Sequence, residues 1–378
     1  MDMTTVRFKG DTQNSFFGTF LYAQILPKDH FLVKAKNTIP WERFTAKLLR
    51  HYKGGGQYGR TAYEPAKMLR MLLVSYLYNI SERDTEEFVP LNLAGKYFVG
   101  LGVDESAPDH STLTVFKTRI TQKLGVGIWD KLFQKTIRIA KKKGIAFGRL
   151  QLIDSTHTTA DVNEEADHKR RTKEDKPPRD PDATHKVKKQ KDAITSSGKK
   201  IKINDYIYGF KAHTSMNRRS RLITSVKATT ARDDDGIHFI DLVKKDKRLG
   251  VVKSSNDDPQ DKTGYSADKG YDQGDNHYYL EKHNLFNAII LKDNRTKEKW
   301  QEMRKDPDYQ KVIKFRKQIE NKFGEEKLHH RFGRCRYLGL RRYKIQAFMT
   351  AMAVNLKRIM LLTDPNYSPP APSLCLST

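Results

Sequence analysis

The spacing of apolar residues changes partway along the chain, and the change divides it in two. From Trp41 to about Lys53 the pattern is helical, and Gly54-Gly55-Gly56 stops it. Pro65 at a first helical position opens the next segment. Its Met68, Leu69, Met71, Leu72, Leu73, Tyr76 and Leu77 are apolar nearly all round, the mark of a buried helix. Ser81 with the acidic turn after it, and Pro108-Asp109-His110-Ser111-Thr112, read as capped helix starts. These signals predict a helical domain over 41–145, small and basic enough to be a DNA-binding domain. Ahead of it, in segment 1–40, Phe16, Phe17, Phe20 and Leu21 predict a short strand or helix docked on the body.

At Phe147 the period becomes two, with Leu150 and Leu152 on one face and Asp154 at the strand end. Residues 163–205 are charged, carry Pro177 and Pro178, and hold Lys186, Lys188, Lys189, Lys191, Lys199, Lys200 and Lys202. So few apolar residues predict a basic insertion without a core, a flexible loop in the free protein that either stays solvated or meets a DNA backbone. The runs 206–216 and 222–230 predict a β-hairpin across Asn217-Arg-Arg-Ser-Arg221. A short helix from Gly236, a strand ending at Asp268, a helix over 276–283 and a strand from Phe286 follow. Helices are expected over 296–330, broken at Pro307, and over 343–362. Strands alternating with helices imply an α/β fold, a mixed sheet flanked by helices, over residues 146–362. The proline-rich tail 363–378 is expected to be disordered.

The stretch Val312–Leu328 reads as one helix. Val312, Phe315, Ile319 and Phe323 form its apolar stripe, and Arg316, Glu320 and Lys327 fall along one edge of that stripe. The plain reading is an amphipathic helix with an Arg316–Glu320 pair of roughly 0.2–0.5 kcal/mol.

Charge changes the picture more than length does. Lys and Arg number 71 against 45 Asp and Glu, a net charge of +26, and the sequence pI is near 9.8. Such a surplus favours a polyanionic partner, above all double-stranded DNA, with binding that weakens steeply in salt. A membrane partner is not expected: the apolar run Ala347–Val354 is flanked by Lys344, Asn355, Lys357 and Arg358. The start carries no secretory pattern, and Cys335 and Cys375 are the only cysteines. Neither a disulfide framework nor a cysteine zinc site is indicated, and a reducing, cytoplasmic setting fits.

Three carboxylates stand at comparable places: Asp154 and Asp268 at strand ends, and Glu320 on the helix that follows. Carboxylates converging at one sheet edge can hold two hard cations, Mg²⁺ or Mn²⁺, for an in-line phosphoryl displacement, with Arg316 and Lys327 beside them for phosphates. Each also has a structural alternative as a cap, a turn residue or a salt-bridge partner. Asp233, Asp234, Asp235 and Asp272 show that spacing alone does not select the three.

Several ordered motifs together resemble the DDE transposases of bacterial insertion sequences, in the group with a Y-(2)-R-(3)-E-(6)-K signature. They are Leu152-Ile-Asp-Ser-Thr, Asp180-Pro-Asp-Ala, Tyr208-Gly-Phe-Lys-Ala-His, Thr229 to Asp235, Ala267-Asp-Lys-Gly-Tyr-Asp and Arg334-Cys-Arg-Tyr-Leu-Gly. Arg316, Glu320 and Lys327 stand at the R, E and K spacings, while Ile313 occupies the tyrosine place. Pro108 to Leu113 with Phe116 and Arg119 is similar to the family's helical N-terminal domain.

The resemblance implies a ribonuclease-H-like core in which Asp154, Asp268 and Glu320 are catalytic and metal-binding, with two Mg²⁺ or Mn²⁺ ions per site. It implies that Arg316, Lys327 and Lys269 contact DNA, and that Lys211 and His213, a Lys-x-His pair on the strand after the insertion, do so as well, a surface role on an edge strand being the equal alternative for those two. The activity implied is binding of the element's terminal inverted repeats, cleavage of its ends and transfer of the 3′-hydroxyls into target DNA, by a homodimer assembled on DNA. A metal-dependent nuclease without strand transfer and a non-catalytic DNA-binding descendant are the alternatives.

Overall fold

The computed structural model describes residue 8 and residues 16–49, 61–194, 200–252 and 263–367, with the side chains of 16, 17 and 188–204 excepted. The glycine stop at 54–56 and the tail beyond Tyr367 lie outside the described residues.

Among the described residues, eight helices come first: α1 (Phe16–Ile25), α2 (Phe31–Thr38), α3 (Trp41–Leu49), α4 (Pro65–Leu77), α5 (Glu82–Leu91), α6 (Leu93–Val99), α7 (His110–Leu124) and α8 (Gly127–Lys142). Local chemistry explains the boundaries. Pro65 opens α4, where its missing N–H costs nothing. Ser81 and Asp84 cap α5 reciprocally, and the Asp109 carboxylate accepts the Thr112 N–H at the start of α7. As its all-round apolar pattern predicts, every residue of α4 is buried.

The second part contains β1 (Leu150–Thr159), α9 (Glu164–Lys173), β2 (Thr184–Ile194), β3 (Lys200–Asn217), β4 (Ile223–Thr230), α10 (Phe239–Leu249), β5 (Gly264–Ala267), α11 (Gly274–Lys282) and β6 (Phe286–Ile289). It ends with α12 (Glu298–Lys305), α13 (Pro307–Ile313), α14 (Lys317–His330) and α15 (Leu340–Leu362). The sheet is mixed. β3 pairs antiparallel with β1 on one side and β4 on the other, while β1, β5 and β6 run parallel. Helices flank it, with α14 against β1 and α10, α8 and α15 against β4. This is the mixed α/β architecture expected, consistent with a ribonuclease-H-like core behind an N-terminal helical region.

Two expectations are corrected. Residues 163–205 are not a structureless loop: they form α9, then β2, which pairs with the first half of β3 from Thr184↔Gly209 to Ile194↔Lys200. A composition too polar to bury a core can still satisfy its backbone in an antiparallel ladder extended from a rigid strand. The stretch 312–328 is also not one helix. A 3-10 turn, Lys314–Arg316, separates α13 from α14 and splits the apolar stripe. Ile319 and Phe323 pack on Leu152 and Met216, with Phe315 at the margin, whereas Val312 joins Ala288, Leu291 and Tyr309 under β6.

α15 is long and apolar enough by length and composition to cross a membrane. Its residues are instead buried between α8, α4 and β4, and the Asn355 side chain bonds both backbone groups of Ile223 at 2.9 and 2.8 Å. That polar pairing, deep inside the fold, marks a core helix. One apolar core runs from Trp41, Leu72 and Trp129 through Phe348 and Met352 to Phe210 and Val226 in the sheet. The first residues of the expected tail are anchored too, with Lys34 Nζ 2.7 Å from the Asp364 carboxylate.

Candidate active site

The parallel ladder between β1 and β5 ends at Ile153↔Ala267, so Asp154 and Asp268 are the next residues on neighbouring strands, whose spacing is about 4.8 Å. Asp268 ends β5, because the 3-10 turn Lys269–Tyr271 begins there and the Tyr271 N–H bonds back to the Asp268 carbonyl at 2.9 Å. Asp154, expected at a strand end, lies mid-strand: its ladder with β3 continues to Thr159↔Gly209. It is the end of β5, not of β1, that opens space beside it.

Alternation along β1 decides what Asp154 faces. Leu152 packs under Ile319 and Phe323, and Asp154, two residues on, points to the same side. There the Arg316 guanidinium spans two carboxylates, with Nη1 2.9 Å from Asp154 Oδ2 and Nη2 2.7 Å from Glu320 Oε1. Asp154 and Asp268 are therefore adjacent, while Glu320 stands at the same corner with a guanidinium between it and Asp154. Among the described residues, no three carboxylate, histidine or cysteine side chains lie close enough to form a ready metal-holding group.

Burial raises the Asp154 carboxyl from its ordinary value to about 7. Asp268 and Asp235 add to the rise, and the Ser155 N–H and Arg316 oppose it. An oxygen-only donor set in which charge is disfavoured by burial and by like charges is chemically suited to a hard divalent cation. The residues present fit Mg²⁺ or Mn²⁺ better than zinc.

The remaining predicted residues divide. Lys269 is exposed beside Asp268, and Lys327 is exposed on α14, where its charge is felt at His157. Lys211 and His213 do not fit a DNA-contacting role. They sit on the central strand β3, not on an edge, at 1% and 0% exposure. Lys211 Nζ bonds the Asp233 carbonyl at 2.8 Å and Asp235 Oδ1 at 2.9 Å. His213 lies within hydrogen-bond reach of Tyr271 Oη at 3.2 Å and Thr229 Oγ1 at 3.0 Å. Burial, with His238 and Lys211 nearby, lowers its pKa to about 2, so it is neutral. Both side chains spend their polar atoms inside the fold, on the face of the sheet opposite α14.

That internal network holds Asp235, a fourth carboxylate in the field of Asp154. In the sequence Asp235 is one of several acidic neighbours with nothing to set it apart. The Lys-x-His spacing on a strand is visible in the sequence, but the burial that makes a carboxylate partner necessary follows only from β3 being central in the sheet.

Two family models match the chain. The model described as "Transposase domain (DUF772)" matches residues 20–119, covering most of the N-terminal helices. The model described as "Transposase DDE domain" matches residues 146–356, more than half of the chain, from just before β1 into α15. The sheet corner that pairs Asp154 with Asp268 under a helix bearing Glu320 thus lies inside the matched domain, and the chain belongs to the DDE transposase family.

Proposed function

We propose that this DNA transposase binds the terminal inverted repeats of its own insertion sequence, cleaves the DNA at the element ends and joins the exposed 3′-hydroxyls to target DNA. The observation that carries the reading is the corner at the end of β5. Asp154 and Asp268 stand side by side there, and Arg316 links Asp154 to Glu320. In this reading the three carboxylates hold the Mg²⁺ or Mn²⁺ ions. DDE transposases generally use divalent ions; when bound, these supply Lewis acidity at the attacking and leaving oxygens of an in-line phosphoryl displacement.

The chain's own residues do the rest. Ile319 and Phe323 dock α14 on β1 and so fix Glu320 at the corner beside Asp154. Arg316, Lys327 and Lys269 neutralise the phosphates flanking the cut. Arg316 can do so because its guanidinium, already at the corner, exchanges a carboxylate partner for a phosphate of similar geometry. Lys211 and His213 position Asp235 rather than touching DNA. One chain carries one such corner and an element has two ends, so a homodimer assembled on DNA is the expected working form, acting on chromosomal DNA in a prokaryotic cytoplasm.

The test is a joining assay with precut element ends, a target plasmid and Mg²⁺. Covalent joining of the 3′-ends supports the reading; cleavage of uncut ends without any joining identifies a nuclease instead. Binding of ends without either step points to a non-catalytic descendant.

A further inference from the structure

Between α7 and the start of α15 lies a cleft of about 350 Å³, away from the carboxylate corner. On its floor Lys117 is buried and paired with Glu82, and the same carboxylate accepts the Tyr337 hydroxyl. Lys117 Nζ also sits 4.2 Å from the centre of the Tyr337 ring. The single acid of the cleft is therefore already engaged. Burial disfavours the charge of Lys117, and Arg342 and Arg336 disfavour it further.

The rim is different. Arg341 and Arg342 are exposed, and among the described residues neither guanidinium is held by a carboxylate in an ion pair. Across from them Thr114, Thr118 and Gln122, all exposed and spaced four residues apart, form a polar row on one face of α7. Guanidinium, hydroxyl and amide groups facing one another without an aromatic platform are the contact set of a sugar-phosphate backbone. Base stacking is disfavoured because Lys117 covers the one aromatic ring in the cleft.

The cleft also lies where a duplex passing the carboxylate corner can reach it. β1 runs on from Asp154 to Thr159, which bridges to Arg334, three residues before Tyr337. The five residues from Asp154 to Thr159 span about 17 Å at about 3.3 Å each, the length of roughly five base pairs.

We propose that this cleft docks the phosphodiester backbone of duplex DNA, taken by Arg341, Arg342 and the polar row of α7, within about one helical turn of the phosphate cut at Asp154. The spacing rests on the assignment of the cutting centre to Asp154; the binding does not, so binding measurements separate the two.

The experiment uses the full chain and a mixed-sequence DNA duplex, with affinity measured across a KCl series. Replacing both arginines, Arg341→Ala with Arg342→Ala, is expected to weaken binding about tenfold or more and to reduce the slope of log K against log salt by about 2. The double Arg→Lys variant is expected to keep the slope, and Thr118→Glu, which places a carboxylate in the cleft with both arginines intact, to weaken binding as well. Circular dichroism and melting check that the variants fold. A photo-crosslinking residue at Thr118 in the otherwise unaltered protein is expected to capture the duplex, and it reads the cleft even if a variant unfolds. Folded variants with wild-type affinity and slope, or no crosslink, overturn the proposal. It is equally overturned if the arginine variant loses a free mononucleotide or inorganic phosphate but keeps the duplex.

Discussion

Ile319→Ala tests whether apolar docking is what positions Glu320. Among the described residues, the patch holding α14 on β1 contains four buried ones, Leu152, Met216, Ile319 and Phe323, and Ile319 is fully buried among them. The substitution removes three carbons, about 2.4 kcal/mol at ~0.8 kcal/mol per carbon. The cavity left behind brings the expected destabilisation to roughly 2–5 kcal/mol. So small a patch loses much of its grip, and the next residue is Glu320, so the helix should shift or fray before the rest of the fold opens. Denaturant unfolding gives the stability change, hydrogen exchange over 317–330 gives the local opening, and end cleavage is measured well below the melting temperature. Leu72→Ala, fully buried in α4, serves as a control of comparable stability loss remote from α14. The expected result is faster exchange in α14 and cleavage reduced far more by Ile319→Ala than by Leu72→Ala, with DNA binding kept by both. Equal cleavage by the two variants would refute the reasoning.

Lys211→Met strands Asp235 and the Asp233 carbonyl. Because Asp235 is 27% exposed, the loss should be about 1–3 kcal/mol, below that of a fully buried pair. Adding Asp235→Asn should recover part of it in a double-mutant cycle, and strictly additive melting shifts would show that the pair is not coupled. Burial raises the Glu326 carboxyl to about 8, so the folded state keeps a proton that the unfolded chain releases near its ordinary value of about 4.3. That contribution is full below the unfolded value and lost as pH rises through about 8; stability should fall over this window, and Glu326→Gln should flatten the slope in denaturant titrations. Chelating divalent ions should abolish end cleavage while leaving end binding in place; cleavage persisting in chelator would contradict the carboxylate assignment.

Much of the fold was legible because burial imposes a period. The all-round apolar α4, the change to alternation at Phe147 and the hairpin across Asn217–Arg221 follow from which faces meet the core. The break at Lys314–Arg316 was not legible, since its residues suit a helix locally. It follows from tertiary demands, with Val312 packing under β6 while Ile319 packs on β1. The β2–β3 ladder escaped composition for a similar reason: its stability comes from pairing with a strand anchored elsewhere, which no local count of apolar residues records. At the candidate site, Asp154, Asp268 and Glu320 were singled out together by motif resemblance. The burial of Lys211 and His213 and the place of Asp235 required knowing that β3 is central in the sheet.

The central claim is that Asp154, Asp268 and Glu320 act as one centre. Its most direct test is end cleavage by purified Glu320→Ala with Mg²⁺ and Mn²⁺, on a duplex carrying the element end, alongside a binding measurement on the same duplex. Cleavage is expected to be abolished with either ion while end binding is retained or strengthened, because a carboxylate that repels phosphate has been removed. Wild-type cleavage by Glu320→Ala would contradict it.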